Sequence, residues 1–108
     1  MHAMGNESPS ELLNLVRRGH AYARRGEYGR AVEAFSGAID LDPTDAELYY
    51  HRGNAFASAG RFRDALSDFD KALGLRPEYA EALHNRATAY ADAGDPDAAV
   101  TTGDIEGL

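Results

Sequence analysis

Residues 31–43 read AVEAFSGAIDLDP, and 34 positions later residues 65–77 read ALSDFDKALGLRP. The same shift aligns small and aromatic residues along most of the chain. The aligned pairs are Gly19 with Gly53, Tyr22 with Phe56, Gly26 with Gly60, Tyr28 with Phe62, Ala31 with Ala65, Phe35 with Phe69, Ala38 with Ala72 and Pro43 with Pro77. A second shift continues through Ala87, Tyr90, Gly94 and Ala99. The sequence therefore begins one structural unit three times.

Each unit has the apolar spacing of two helices. Before Gly26, apolar or small residues recur three or four positions apart, and the same spacing resumes after it. Gly26, Gly60 and Gly94 stand where the first helix of each pair ends, a place that favours a left-handed residue. Pro43 and Pro77 close the second helix, because proline cannot continue it.

Several helix starts have capping residues. Residues 8–11, SPSE, predict a capping box with proline at the first helical position. Thr44 is the predicted cap of the third helix. Asp95 and Pro96 predict the start of a short helix near residues 96–102.

Small residues predict how the helices of a pair meet. Gly19 faces Ala31, and Gly53 faces Ala65, so that the two backbones can approach closely. Aromatic residues are expected to fill the space beyond this contact, namely Tyr22, Phe35, Phe56 and Phe69. A single pair cannot bury its apolar face alone, so the pairs are expected to stack.

This pattern resembles the tetratricopeptide repeat over roughly residues 12–100. The resemblance implies an all-α fold, a right-handed α-solenoid of antiparallel helix pairs with two full repeats and a truncated third. The predicted domain spans residues 8–102, with repeats at about 12–45, 46–79 and 80–102. Residues 1–7 are predicted to be a flexible tail, and residues 103–108 a frayed one.

The sequence departs from the family pattern at two positions of each unit. The usual aromatic near the start of the first helix is Leu15, Tyr49 and Leu83 in the three units. The leucine often found before the glycine is an arginine each time, at Arg18, Arg52 and Arg86. We expect these arginines to be solvated or locally paired on the helix surface rather than to form a binding ladder.

Composition excludes several function classes. The chain has no cysteine, so disulfides and thiolate metal sites are excluded. The formal charge of −7 argues against nucleic acid as a partner, because phosphate binding needs a surplus of Lys and Arg. No apolar run is long enough for a membrane helix, and no signal-peptide core is present, so a cytoplasmic location is predicted. No phosphate-binding, dinucleotide or nucleophile motif occurs, which predicts a non-enzymatic protein without a cofactor.

The third unit is incomplete. Gly103 stands where the other units have phenylalanine, and Glu106 stands at the next small position. Three explanations stay open: the chain is part of a longer array, another copy covers the exposed edge, or the short helix and tail suffice. The charge is also uneven, with five arginines against four glutamates in residues 1–35 and one arginine against six carboxylates in residues 80–108. Contacts between copies would be favoured from the basic to the acidic end.

The resemblance implies that the first helix of each pair lines a concave groove. The inward positions are Leu13, Val16, Arg17, His20, Arg24, Tyr50, His51, Asn54, Ser58, Glu81, His84, Asn85 and Thr88. Three of the four histidines belong to this set. They could be ordinary polar groove residues, a pH-sensitive group or, if they converged on one point, metal ligands, although a metal site is not our prediction.

The best-known groove of the family holds the C-terminal carboxylate of heat-shock chaperones with Lys, Asn and Arg side chains. The corresponding positions in this sequence are Val16, His20, His51, Glu81 and Asn85. Without charged donors, the transfer of a carboxylate from water into the groove would have an unfavourable free energy. Chaperone tails are therefore disfavoured as partners.

Two functions are predicted from these features. The first is a protein-interaction module that binds a peptide or partner protein in the groove, with acidic or apolar ligand residues near the first unit, basic ones near the third, and Tyr50 as the anchor. The alternative is a scaffold that self-associates into a homo-oligomer through an apolar edge. The residues assigned to that edge are Phe69, Leu73, Leu83, Tyr90, Ala99 and Val100.

Overall fold

A computed structural model describes residues 4–94, and it places their side chains from residue 10 onward. Over these residues the chain forms α1 (Met4–Arg24), α2 (Tyr28–Leu41), α3 (Ala46–Ser58), α4 (Phe62–Leu75) and α5 (Ala80–Asp92). Each helix packs against the next one along the chain, and α3 also contacts α5. The protein is an all-α solenoid of helix pairs, as the repeat predicts.

The turns inside the pairs follow the sequence pattern. Gly26, Gly60 and Gly94 have φ angles of +79°, +80° and +80°. Only glycine adopts this left-handed conformation without strain, so the 34-residue repetition of glycine has a backbone cause. The second helices end at Leu41 and Leu75, two residues before each proline.

Two predicted helix starts are wrong. Helix α1 begins at Met4, so residues 8–11 lie inside it instead of capping it, and residues 4–7 are helical where we expected a tail. Pro9 therefore lies inside the helix, where it has no backbone N–H to donate. Helix α3 is capped by Asp45, which accepts a hydrogen bond from the backbone N–H of Glu47 at 3.0 Å. Thr44 instead donates its hydroxyl to Asp42 at 3.4 Å. The other domain boundaries stay predictions.

Phe35 and Phe69 are the largest fully buried side chains of the core. Each ring lies against the glycine of its own repeat. A Cβ atom added to Gly19 would be 2.5 Å from the ring of Phe35, and one added to Gly53 would be 2.7 Å from the ring of Phe69. The glycines therefore make room for the aromatic ring, a more specific role than the backbone approach we predicted.

The burial of Phe69 and Leu73 contradicts their assignment to an exposed edge. Phe69 is 0% and Leu73 9% exposed, because α3 and α5 enclose this side of α4. Leu83 is 43% exposed and Tyr90 is half-buried, so these two residues remain available at the surface. The predicted helix near 96–102, with Ala99 and Val100, and the tail at 103–108 lie outside the described residues.

Two of the arginines are locally paired, as predicted, although Arg52 is only 23% exposed and pairs with the buried Asp68 instead of lying on the surface. Arg52 and Arg86 both form ion pairs with aspartates of α4. No helix in the described part of the chain combines the length and the apolar character needed to cross a membrane.

Candidate functional site

A cavity of about 270 Å³ opens between α1, α2 and α3. Its walls are His20, Ala23, Tyr28, Phe35, His51, Asn54, Ala55 and Ser58. The residues from α3 recur three or four positions apart, so they lie on one face of that helix. Tyr28 begins α2 directly after the turn at Gly26. The cavity therefore combines the inner face of two first helices with the start of a second helix.

Two histidines form one wall of this first cavity. The rings of His20 and His51 meet edge to face, with their centroids 4.5 Å apart. The ring of Phe35 lies behind both, 5.2 Å from His20 and 5.7 Å from His51. The sequence predicted all three first helices to contribute a groove histidine, and the structure brings two of these together.

The surroundings of the histidine pair disfavour the charged form. Burial is the main cause that lowers the pKa of His20, and Arg24 adds repulsion. Burial also lowers the pKa of His51, followed by repulsion from His20, while Glu47 and Asp45 act in the opposite direction. A second positive charge is costly next to the first in a partly desolvated site. Both shifts favour neutral imidazoles at the wall of the cavity.

A second cavity of about 240 Å³ adjoins the first one, with Asn54 and Ser58 in the wall of both. It lies between α3 and α5 against the buried Phe69. Its walls are Asn54, Ala57, Ser58, Phe69, Asn85, Thr88, Ala89 and Asp92. The first cavity has two imidazoles and the rings of Tyr28 and Phe35 in its wall. The second has two side-chain amides, two hydroxyls and the carboxylate of Asp92 beside the ring of Phe69.

A hydrogen-bond network joins α3 to α5 at the second cavity. The side-chain amide of Asn85 donates to Asn54 Oδ1 at 2.7 Å and to Tyr50 Oη at 3.2 Å. The Tyr50 ring packs near Tyr79 and His51, with centroids 5.0 and 5.5 Å away. Tyr50 therefore supports the groove from partly buried contacts, while its role as a ligand anchor stays a prediction.

Six of the predicted groove residues line these two cavities. They are His20, His51, Asn54, Ser58, Asn85 and Thr88. Val16 packs against the core instead, because it faces the junction of the first two repeats. Leu13, Arg17, Arg24, Glu81 and His84 are exposed and line neither cavity.

Sequence reasoning missed Asp92 and Tyr28 as cavity residues. The repeat contained a signal for Asp92, since Arg24, Ser58 and Asp92 are each 34 residues apart. This position changes from basic through neutral to acidic along the groove. Tyr28 had no such signal, because the resemblance assigned the groove to first helices alone.

Within the described residues, no three histidine, aspartate or glutamate side chains are arranged to hold a metal ion. His20 and His51 are close to each other, but they have no third ligand among these residues.

Comparisons with known proteins agree with this architecture. A family model described as TPR repeat matches residues 19–60, and one described as Tetratricopeptide repeat matches residues 46–79. No curated protein sequence matches the chain.

Solved structures resemble most of the chain. The second TPR domain of human RPAP3, solved with an HSP70 peptide, has a TM-score of 0.79 and 26% identity, over 85% of this chain and 77% of that one. The TPR2B domain in the pHsp70 complex of yeast Sti1 has a TM-score of 0.79 and 27% identity, over 83% and 72% of the two chains. MamA has a TM-score of 0.77 and 28% identity, over 84% of this chain and 53% of that one. With its 34-residue units, its left-handed glycines and these matches, the chain belongs to the tetratricopeptide repeat family.

Proposed function

We propose that this protein is a non-enzymatic interaction module that binds an extended peptide segment of a partner protein. The observation that carries the proposal is the pair of adjoining cavities that share Asn54 and Ser58. Each is smaller than the roughly 300 to 1,000 Å³ of typical small-molecule pockets, a size that favours single side chains of a peptide. The RPAP3 and Sti1 domains, solved as complexes with chaperone peptides, support a peptide ligand.

The two cavities differ in the side chains they favour. Phe35, Tyr28 and the two alanines give the first cavity an apolar wall, which suits an apolar or aromatic ligand residue. The carboxylate of Asp92 gives the second cavity a negative charge, which suits lysine or arginine. The ligand is thus an extended segment in which a basic residue follows or precedes an apolar one.

Chaperone C-terminal tails are poor candidates for this groove, although solved relatives bind them. Val16 packs into the core, and Glu81 adds a negative charge where the clamp has lysine. Asn85, at the arginine position, already donates its amide to Asn54 and Tyr50. These positions therefore have no pair of cations that could offset the free energy of removing a terminal carboxylate from water.

The test is selection from a displayed library of random peptides, followed by affinity measurement on variants. Ser58→Trp adds a large ring at the wall shared by both cavities and should weaken the selected peptides at least tenfold. Ser67→Trp makes the same change on the exposed side of α4 and should leave the affinity unchanged. If the selected peptides bind Ser58→Trp as well as the unchanged protein, the groove is not their site.

Self-association is the second candidate, and one observation favours it. Leu83 is 43% exposed on α5, whereas Tyr49, at the same repeat position of α3, is 8% exposed. A second copy could cover this apolar surface. The cytoplasmic location remains the prediction made from the sequence.

A further inference from the structure

The recurring arginine has a complete set of partners in the second repeat. The Nε and Nη2 atoms of Arg52 donate to the two carboxylate oxygens of Asp68, each at 2.8 Å. Its Nη1 atom donates to Ser36 Oγ at 3.0 Å. Asp68 is buried by this arrangement, with 4% exposure. The paired geometry is the strong, bidentate form of an arginine–carboxylate contact.

The equivalent arginine of the first repeat lacks this carboxylate. Among residues 10–94, no acidic side chain lies within ion-pair distance of Arg18. The repeat explains the difference, since the position of Asp68 is Ala34 in the first repeat. The position of Tyr49, on the other side of the arginine, is Leu15. Both replacements are smaller than their counterparts.

The missing side chains leave an open cavity of about 250 Å³ beside Arg18. It lies between α1 and α2, and its walls are Leu15, Arg18, Tyr22, Arg30, Glu33 and Ala34. None of these residues lines the two groove cavities. This third cavity therefore belongs to a separate surface.

One of the two guanidinium groups at the third cavity has no carboxylate within ion-pair distance among the described residues. Arg18 and Arg30 are both in its wall, against the single carboxylate of Glu33. Arg30 is 3.5 Å from Glu27, and its guanidinium lies 6.0 Å from the Tyr22 ring centroid. Arg18 is thus the guanidinium of this cavity whose donors have no charged partner among the described residues. Arg18 is exposed, and Leu15, Tyr22 and Ala34 supply the apolar part of the wall beside it.

We propose that the third cavity binds the carboxylate of an aspartate or glutamate side chain from a partner protein. Arg18 donates to this carboxylate as Arg52 donates to Asp68, and Leu15 and Tyr22 contact the neighbouring apolar part of the partner. The partner thus supplies the acidic group that the second repeat holds internally. This site is independent of the groove, so the failure of one proposal leaves the other intact.

The test is an NMR titration in phosphate-free buffer with the blocked peptide acetyl-Leu-Asp-Leu-amide. Its matched probe is acetyl-Leu-Asn-Leu-amide, which has the same shape without the charge. We expect saturable shifts of the Arg18 side-chain N–H and the Ala34 amide with the aspartate peptide alone. Equal shifts with the asparagine peptide would overturn the proposal, as would the absence of saturable shifts.

Four variants locate the binding site. Arg18→Ala should abolish the saturable shifts, and Arg63→Ala, which removes an exposed arginine of α4, should retain them. Glu33→Gln should tighten binding roughly two- to fivefold, the effect of removing one exposed like charge. Ala34→Asp should abolish peptide binding and raise the Tm, because it supplies the carboxylate internally.

The gain in Tm separates the proposed ion pair from a general effect of the substitution. Ala34→Asp should raise the Tm in the unchanged protein and leave it unchanged or lowered when Arg18→Ala is also present. If Ala34→Asp still binds the aspartate peptide, or raises the Tm equally in both backgrounds, Arg18 is not the carboxylate's partner.

Discussion

Arg52 of α3 donates two hydrogen bonds of 2.8 Å to the carboxylate of Asp68 of α4, 16 residues further along the sequence. The hydrogen bond that Arg52 donates to Asp68 is the main cause that raises the pKa of Arg52. The side chain of Asp68 is 5% exposed, so hydrogen bonds from Arg52 replace most of the water around its carboxylate. The arginine we expected at the surface is therefore a tie between the two helices of the second repeat.

Removal of this carboxylate should destabilise the protein. Asp68→Ala leaves the partly buried guanidinium without its partner, and we expect a loss of about 2 to 3 kcal/mol in the free energy of unfolding. Asp70→Ala is the matched control, because Asp70 pairs with Arg86 through a side chain that is 56% exposed. It should cost less than about 1 kcal/mol. Urea unfolding followed by circular dichroism measures both, and equal losses would contradict the prediction.

Substitution of the helix glycines should have opposite effects at two positions. Gly53→Ala would place its Cβ 2.7 Å from the ring of Phe69, which is fully buried. We expect a loss of about 1 to 3 kcal/mol from this overpacking. Gly74→Ala meets no atom within 4 Å in α4 and should gain up to about 1 kcal/mol from helix propensity. Thermal and urea unfolding would test the pair, and a stable Gly53→Ala protein would show that the Phe69 ring can shift.

The histidine pair should make stability depend on pH. Because the pKa of His51 is lower in the folded protein than the ordinary value of 6.5, the unfolded chain binds more protons below that pH. Stability should fall as the pH decreases from about 7.5 to about 5.5. His51→Gln should reduce this fall, and His84→Gln, at an exposed position of α5, should not. Tm values across this range give the slopes, and identical slopes for the three proteins would argue against a contribution from His51.

Self-association through α5 makes a prediction for sedimentation velocity. If Leu83 contacts a second copy, the unchanged protein should form a concentration-dependent dimer, and Leu83→Glu should sediment as a monomer. Leu75→Glu alters a leucine of similar exposure, 38%, on α4 and should leave the dimer intact. A monomer at every concentration would contradict the self-association hypothesis, and the groove would then be the proposed binding surface.

The groove residues predict weak or absent binding of a chaperone tail. A fluorescent peptide SRMEEVD, the ligand in a solved complex of Spaghetti, should show no saturable change in anisotropy with the unchanged protein. A double variant, Glu81→Lys with Asn85→Arg, supplies two cations at the clamp positions and should gain saturable binding. Equal binding by both proteins would mean that the tail is recognised without these cations.

Much of the fold could be predicted from local features. The left-handed turns need glycine at Gly26, Gly60 and Gly94, and these residues are visible as a 34-residue repeat. The start of α1 could not be placed from its capping residues, since the helix continues past them to Met4 with Pro9 inside it. The burial of Leu73 could not be predicted from the sequence either, because it depends on how closely α5 packs against α4.

The sequence by itself determined the repeat and the helix pairs, because small, large and turn-forming residues recur with the period of the structural unit. Only the tertiary structure decided which side chains meet. His20 and His51 lie 4.5 Å apart, and Asn85 reaches Tyr50, because the stacking of successive first helices brings distant residues together. Packing between the two helices of one repeat provides Arg52 with Asp68 and leaves Arg18 beside an open cavity. Such contacts depend on helix separation and side-chain direction, and these are set by the packing of the whole array.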